Sequence, residues 1–152
     1  NYVNQSAAIL PIELYIERLN RTVPVLNPTN RSIAALDEAL LSGTVRHPDS
    51  ADLSMDGNVF ILGHSSYLPN VLNRNFQAFN GIQNLQWGDR LVLSAEGGEY
   101  VYRVDRVYEA KASEVVVPMT PGEARLTLAT CDSFGSQDDR FIVEATLIDS
   151  PV

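Results

Sequence analysis

Short apolar runs separated by glycine, proline, asparagine and aspartate recur along this chain, and this pattern constrains its fold more than any other feature. Turn-forming residues at such short intervals favour a domain built mostly from β-strands over a helical one. The strongest hairpin signal is Glu96-Gly97-Gly98-Glu99, where glycine can supply the positive φ that a tight turn requires. The predicted strands are 8–16, 22–26, 58–62, 90–95, 99–109, 114–117, 124–131 and 140–148.

Two segments predict short helices. The first is 32–41, where Ser32 precedes apolar residues at helical spacing and Gly43 follows the end. The second is 69–79, where four apolar residues fall near one helical face: Val71, Leu72, Phe76 and Phe79. Because no internal repeat or low-complexity linker interrupts the pattern, residues 1–152 are predicted to form one domain.

The charge of the chain excludes one class of partner. Nineteen acidic and eleven basic residues give a net charge of -8, and no basic stripe offers the clustered lysine and arginine that nucleic-acid phosphates require. The apolar runs are far shorter than the roughly 20 residues of a transmembrane helix. The sequence begins at Asn1 without an initiator methionine, so we expect it to be part of a longer protein.

Cys131 is the single cysteine of the chain and ends a predicted strand. A thiol at a strand terminus can act as a nucleophile, but a free cysteine can equally be a buried core residue. A reactive thiol would need a base, and only two histidines are present. His64 lies where an apolar strand gives way to a polar loop and could exchange a proton with the thiol, or be an ordinary loop residue. His47 resembles a solvated loop residue.

Arg140 begins the last predicted strand. If this strand neighbours the one that ends at Cys131, the guanidinium would lie near the thiol and could hold a substrate carbonyl or stabilise an oxyanion. The alternative is a salt bridge to Asp138 or Asp139.

No metal site and no cofactor is predicted. The stretch 52–57 begins like a calcium loop, with Asp52, Ser54 and Asp56 at alternate positions. The twelfth position is Gly63 instead of a bidentate glutamate, so the match fails.

Three ordered features of this sequence resemble the sortase family of bacterial cysteine transpeptidases. They are the string Thr127-Leu128-Ala129-Thr130-Cys131, which matches the family's TLxTC strand, a strand ending in Gly63-His64, and an arginine opening the next strand. Two stretches, 43–48 and 57–64, also look like the segment that precedes the family's histidine. A third, 87–93, looks like the family's Gly-Asp turn and the strand after it. The resemblance implies an eight-stranded sortase-like β-barrel with short helices, which agrees with the strand count.

The resemblance also implies roles for residues. Cys131 would be the nucleophile, His64 the acid/base partner, and Arg140 the residue that positions substrate and supports the tetrahedral intermediate. The implied reaction cleaves an LPxTG-like sorting signal through a thioacyl enzyme and transfers the signal to an amine of peptidoglycan or a pilin. The implied partners are therefore the sorting-signal peptide of a surface protein or pilin and this amine acceptor. The implied location is the extracytoplasmic face of a bacterial membrane, through an anchor outside this chain.

Family analogy places the peptide in a groove beside the Cys131 strand, roofed by the loop over 108–125. The substrate-binding residues predicted in this way are Val116, Val117, Pro118, Ala129 and Thr130. The separation of nine positions between Cys131 and Arg140 resembles that of pilin-polymerising and some housekeeping or sporulation-related members, and it leaves the subclass open.

Two alternatives accompany this interpretation. One is a thiol peptidase that cleaves the sorting peptide without efficient transfer. The other is a catalytically silent β-barrel module that binds peptide or cell wall.

Overall fold

The strands of this chain close into a β-barrel. The computed structural model describes residues 7–66, 73–111, 122–130 and 139–151. Its strands are β1 (Glu13–Ile16), β2 (Arg21–Leu26), β3 (Thr44–Arg46), β4 (Asn58–Gly63), β5 (Arg90–Ala95), β6 (Gly98–Lys111), β7 (Arg125–Thr130) and β8 (Asp139–Asp149). They are ordered β1-β2-β3-β4-β7-β8-β6-β5 around the barrel. The prediction of a mostly-β, eight-stranded barrel with short helices is confirmed.

Among the described residues, the barrel contains one strand that was not predicted. This strand is β3, whose three residues are too few to show an alternating pattern. β3 is defined by its parallel pairing with β2 and its antiparallel pairing with β4. The predicted strand 114–117 lies outside the described residues. β1 begins at Glu13 and not at residue 8, since Pro11 has no N–H to donate to a ladder.

The first predicted helix is confirmed as α1 (Ile33–Leu40). The Ser32 hydroxyl caps it by accepting a hydrogen bond from the Ala35 amide at 3.1 Å. Leu36 and Leu40 are buried against the outside of the barrel.

The second predicted helix, 69–79, is not an α-helix where it is described. A single 3₁₀ turn occupies Arg74–Gln77, while 69–72 lie outside the described residues. Hydrogen bonds to other elements replace the helical ladder. The side-chain amides of Asn73 and Asn75 both donate to the Leu41 carbonyl, and the Phe79 amide donates to His64.

Two hydrophobic clusters lie on either side of the sheet. The first fills the barrel and includes Leu14, Ile16, Ile61, Leu91, Leu93, Tyr102, Leu126 and Leu128. The second, here called the outer cluster, lies between α1 and the sheet and consists of Leu36, Leu40, Val45, Phe60, Leu62, Ala129 and Ile142. β4 is therefore buried on both faces, which explains its unbroken apolar sequence.

Candidate active site

The site is built on β4 and β7, which run parallel side by side. Each β4 residue faces the β7 residue 67 positions later, from Asn58 opposite Arg125 to Gly63 opposite Thr130. Because the strands are parallel, they end at the same edge of the barrel, here called the β4/β7 edge. His64 and Cys131 directly follow the last pair in the sequence and are also 67 positions apart.

β8 brings Arg140 to the β4/β7 edge. β8 is antiparallel to β7, with Ala129 opposite Ile142, so it begins where β7 ends. Arg140 is half-buried near this start, opposite Ala110 of β6. The structure therefore brings His64, Thr130 and Arg140 to one edge, whereas Cys131 lies outside the described residues.

His64 is buried, with 7% of its surface exposed. Its carbonyl accepts a hydrogen bond from the Phe79 amide at 2.9 Å. The ring of Phe79 packs against Gly63, where an added Cβ would lie 2.7 Å from a ring carbon. The backbone that carries His64 thus depends on an aromatic contact that only glycine permits.

The other histidine is bound into the loop that follows β3. The His47 amide donates to the Phe60 carbonyl, and Nδ1 of its ring accepts from the Asp49 amide at 3.1 Å. The ring stacks on Phe60 with centroids 6.4 Å apart, and burial lowers the pKa of the imidazole. His47 is therefore half-buried and not a solvated residue as predicted, because Phe60 covers one face of the ring.

The predicted substrate-binding residues divide into two groups. Ala129 has no exposed surface and packs in the outer cluster. Thr130 is 6% exposed, and its hydroxyl accepts a hydrogen bond from the Phe141 amide at 2.9 Å. Val116, Val117 and Pro118 lie outside the described residues. Contact of these five residues with a peptide stays a prediction.

A cavity of about 360 Å³ opens at the other end of the barrel. Gly57 and Ala124, which precede β4 and β7, line it together with Tyr102. It is therefore separated from His64 by the length of β4.

The described ranges contain neither a candidate metal centre nor a candidate membrane-spanning helix. No group of three or more histidine, cysteine, aspartate or glutamate side chains there could hold a metal ion. No helix among the same residues is long and apolar enough to cross a membrane.

Comparison with known families decides the class of protein. The family model described as the sortase domain matches residues 14–148, which span nearly the whole barrel. The chain belongs to the sortase family. The predicted family is therefore confirmed, and the predicted enzyme class, cysteine transpeptidase, is that of the family.

Individual relatives show the same fold. Sortase A of Bacillus anthracis is 28% identical over 115 residues, which cover 76% of this chain and 51% of that protein. The chain thus spans about half the length of this curated relative. A point mutant of sortase E from Streptomyces avermitilis superimposes with a TM-score of 0.70 at 27% identity, covering 92% of this chain and 89% of that one. Sortase C1 from Streptococcus suis gives 0.72 at 18% identity, with 94% and 74% covered. Relatives of several classes match, so the subclass stays open.

Sequence reasoning missed the residues that support the β4/β7 edge from the segment after β4. Phe79 ends the stretch predicted as a helix, Asn80 follows it, and neither belongs to a recognised motif. No signal in the sequence points to the bond from Phe79 to the His64 carbonyl or to the pairing of Asn80 with Ser66.

Proposed function

We propose that this domain is a cysteine transpeptidase that cleaves an LPxTG-like sorting signal through a thioacyl enzyme on Cys131. The acyl group then passes to an amine of peptidoglycan or a pilin. We further propose that residues 1–152 form a single catalytic domain, which acts at the extracytoplasmic face of the membrane through an anchor outside this chain.

One observation carries the proposal. The register of β4 on β7 places Gly63 beside Thr130, the two residues that directly precede His64 and Cys131. Arg140 lies near the start of β8 at the same edge. A nucleophile, a proton carrier and a stabiliser of the oxyanion are three groups that promote acyl transfer, and Cys131, His64 and Arg140 are of the types suited to these roles.

The first half of the proposed reaction breaks the Thr-Gly bond of the sorting signal. The Cys131 thiolate attacks the threonine carbonyl carbon, and the carbonyl electron pair moves to the oxygen. The Arg140 guanidinium donates hydrogen bonds to this oxyanion, because its planar fork of donors suits a developing negative charge. Protonated His64 gives its proton to the glycine nitrogen. The oxyanion electron pair then re-forms the carbonyl as the C–N bond breaks, so the glycine leaves as a free amine and a thioester remains on Cys131.

The second half transfers the acyl group. The acceptor amine attacks the thioester carbonyl, and neutral His64 takes the proton that the amine loses. The tetrahedral intermediate collapses with the Cys131 thiolate as leaving group, so the enzyme returns to its starting state. A thioester reacts readily with amines, and a site that excludes water favours transfer over hydrolysis.

The burial of His64 supports this preference. With 7% of its surface exposed, His64 is largely shielded from water. We propose that the peptide lies in a groove beside β7, with Val116, Val117 and Pro118 as its apolar wall and the Ala129-Thr130 backbone as its floor.

The test uses a fluorogenic LPxTG-like peptide with and without triglycine. Wild-type protein should release the fluorophore and, with triglycine, form a peptide joined to it, both followed by mass spectrometry. Cys131→Ala should abolish both products, and the wild type should show a thioacyl adduct at Cys131. Activity that survives in Cys131→Ala would overturn the proposal. Cleavage without a triglycine product would favour a thiol peptidase, and peptide binding without cleavage a silent module.

The two histidines provide a matched pair of variants. His64→Ala should lose activity because the leaving amine receives no proton, whereas His47→Ala should retain it, since His47 is bound in the loop after β3. The reverse result would transfer the acid/base role to His47.

Replacement of Arg140 by lysine tests its role at the oxyanion. A point ammonium cannot reproduce the planar fork of donors, so Arg140→Lys should lower kcat by about 100-fold with little change in KM. Steady-state kinetics on the same peptide measure this, and near-normal turnover would refute the role.

A further inference from the structure

The side chain of Asn80 pairs with the backbone two residues after His64. Its Oδ1 accepts a hydrogen bond from the Ser66 amide at 2.8 Å, and its Nδ2 donates to the Ser66 carbonyl at 2.8 Å. The neighbouring Phe79 amide donates to the His64 carbonyl at 2.9 Å. Three hydrogen bonds therefore join 79–80 to 64–66, beyond the point where β4 ends.

The Asn80 amide acts here as a substitute for a strand. A carboxamide presents its acceptor oxygen and one of its two N–H donors on the same side. It can therefore satisfy both main-chain groups of Ser66 at once, as a neighbouring strand would. Aspartate would lack the donor, and alanine would lack both groups.

Arg21 fixes the segment that carries Asn80. Its Nη1 donates to the Ala78 carbonyl at 3.2 Å and also to the Asn80 carbonyl. Arg21 opens β2 and is half-buried, and burial lowers the pKa of its guanidinium. Hydrogen bonds to a charged donor are stronger than neutral ones, so residues 78–80 are attached firmly to the barrel.

We propose that Asn80, held by Arg21, is a positioning residue that fixes the backbone of His64 for proton transfer. This inference rests on the function proposed for His64 above. Chemistry of this kind depends on reacting groups held to within a fraction of an ångström. The Phe79 and Asn80 contacts on both sides of His64 restrict the backbone from which its ring projects.

The test observes His64 directly by NMR. The chain has only two histidines, so the imidazole Hε1 region contains two signals, assigned with His64→Ala and His47→Ala. Asn80→Ala should move and broaden the His64 signal and leave that of His47 in place. It should also lower kcat/KM by about 10- to 100-fold, mostly through kcat.

Asn75→Ala is the matched control. The Asn75 side chain also donates to a main-chain carbonyl, that of Leu41 at 3.0 Å, and lies on the same segment. This bond ties the segment to the residue that follows α1. Asn75→Ala should therefore leave the His64 signal and kcat unchanged.

Thermal melts of each variant identify the temperatures at which it is folded. If Asn80→Ala does not fold, Arg21→Gln is measured in its place, and it should move the His64 signal in the same direction. An unchanged His64 signal in a folded variant overturns the inference, whatever its activity. A displaced signal with full activity would overturn the role proposed for His64 in catalysis, and with it the inference. The NMR signal of His64 does not depend on catalytic activity and can also be recorded in Cys131→Ala. Failure of the proposed function is therefore distinguishable from failure of the positioning role.

Discussion

Single residues outside the catalytic motif set the geometry of the β4/β7 edge. Thr130 is the clearest example, because its hydroxyl and not a backbone group binds the Phe141 amide where β7 and β8 separate. Gly63 is the second, since its lack of a side chain admits the ring of Phe79. Both adjoin a residue proposed to act in catalysis.

Loss of the Thr130 hydroxyl should reduce both stability and activity. Thr130→Val leaves the Phe141 amide without its acceptor, which costs about 1–3 kcal/mol of unfolding free energy and loosens the strand beside Arg140. Urea unfolding and peptide cleavage measure the two effects.

Two variants control for this. Thr130→Ser keeps the acceptor and should retain most activity. Thr127→Val removes another buried hydroxyl of β7, one that donates to Asn58 at 3.0 Å, and should lower stability while leaving kcat near normal. Equal losses of kcat in the two valine variants would contradict a local role for Thr130.

A methyl group at Gly63 should disturb the site by overpacking. The new Cβ would approach Phe79 to 2.7 Å, so Gly63→Ala should cost about 1–3 kcal/mol of stability and reduce activity. Gly122→Ala is the control, because nothing lies within 4 Å of its added Cβ. Thermal unfolding of both compares them, and equal midpoints would show that the Phe79 ring moves aside freely.

At the scale of elements, α1 and β4 depend on each other. β4 is apolar on both faces, so its outward side chains need a cover, and Leu36 and Leu40 of α1 provide part of it. The eight residues of α1 are too few for a stable isolated helix. Its stability therefore comes from this packing and from its cap.

Removal of the α1 cap should destabilise the domain modestly. Ser32→Ala loses the hydrogen bond to the Ala35 amide and should cost about 1 kcal/mol of unfolding free energy. Ser32→Asp keeps an acceptor and should unfold at nearly the wild-type urea concentration. An alanine variant as stable as wild type would show that packing alone maintains the helix.

At the scale of the whole molecule, ion pairs join distant parts of the barrel wall. Arg18, which follows β1, donates to Asp89, which precedes β5, at 2.5 Å. This bond lowers the pKa of the Asp89 carboxyl from its ordinary value. Burial raises the pKa of Glu144 on β8, but hydrogen bonds from Arg106 and Tyr108 outweigh it and the pKa is lowered. Such groups link folding to pH.

The domain should therefore lose stability in acid. A carboxyl whose pKa is lower in the folded state than in the unfolded state stabilises the fold above the unfolded pKa, and the effect disappears as the pH falls through the folded pKa. Asp89→Asn should be less stable than wild type near pH 7, and its unfolding free energy should fall less steeply below about pH 4. Urea unfolding across this pH range measures how the unfolding free energies of wild type and Asp89→Asn change with pH. Asp56→Asn, which removes an exposed carboxyl, is the control. Parallel curves for wild type and Asp89→Asn would exclude the contribution.

Local patterns of the sequence determined a large part of this protein. Alternating apolar runs and glycine turns predicted seven of the eight barrel strands, because strand period and turn chemistry act over a few neighbouring residues. The Ser32 cap predicted α1 for the same reason. The separation of His64 and Cys131 also carried structural information, since it equals the register offset between β4 and β7.

Tertiary structure decided the remainder. β3 is defined only by its partner strands. The stretch ending at Phe79 forms a 3₁₀ turn because the side-chain amide of Asn73 binds the Leu41 carbonyl after α1 and the backbone amide of Phe79 binds the His64 carbonyl. The pairing of Asn80 with Ser66 joins residues 14 positions apart, and Arg21 reaches Asn80 across 59. Contacts of this kind depend on closure of the barrel, which brings together groups that no local pattern relates.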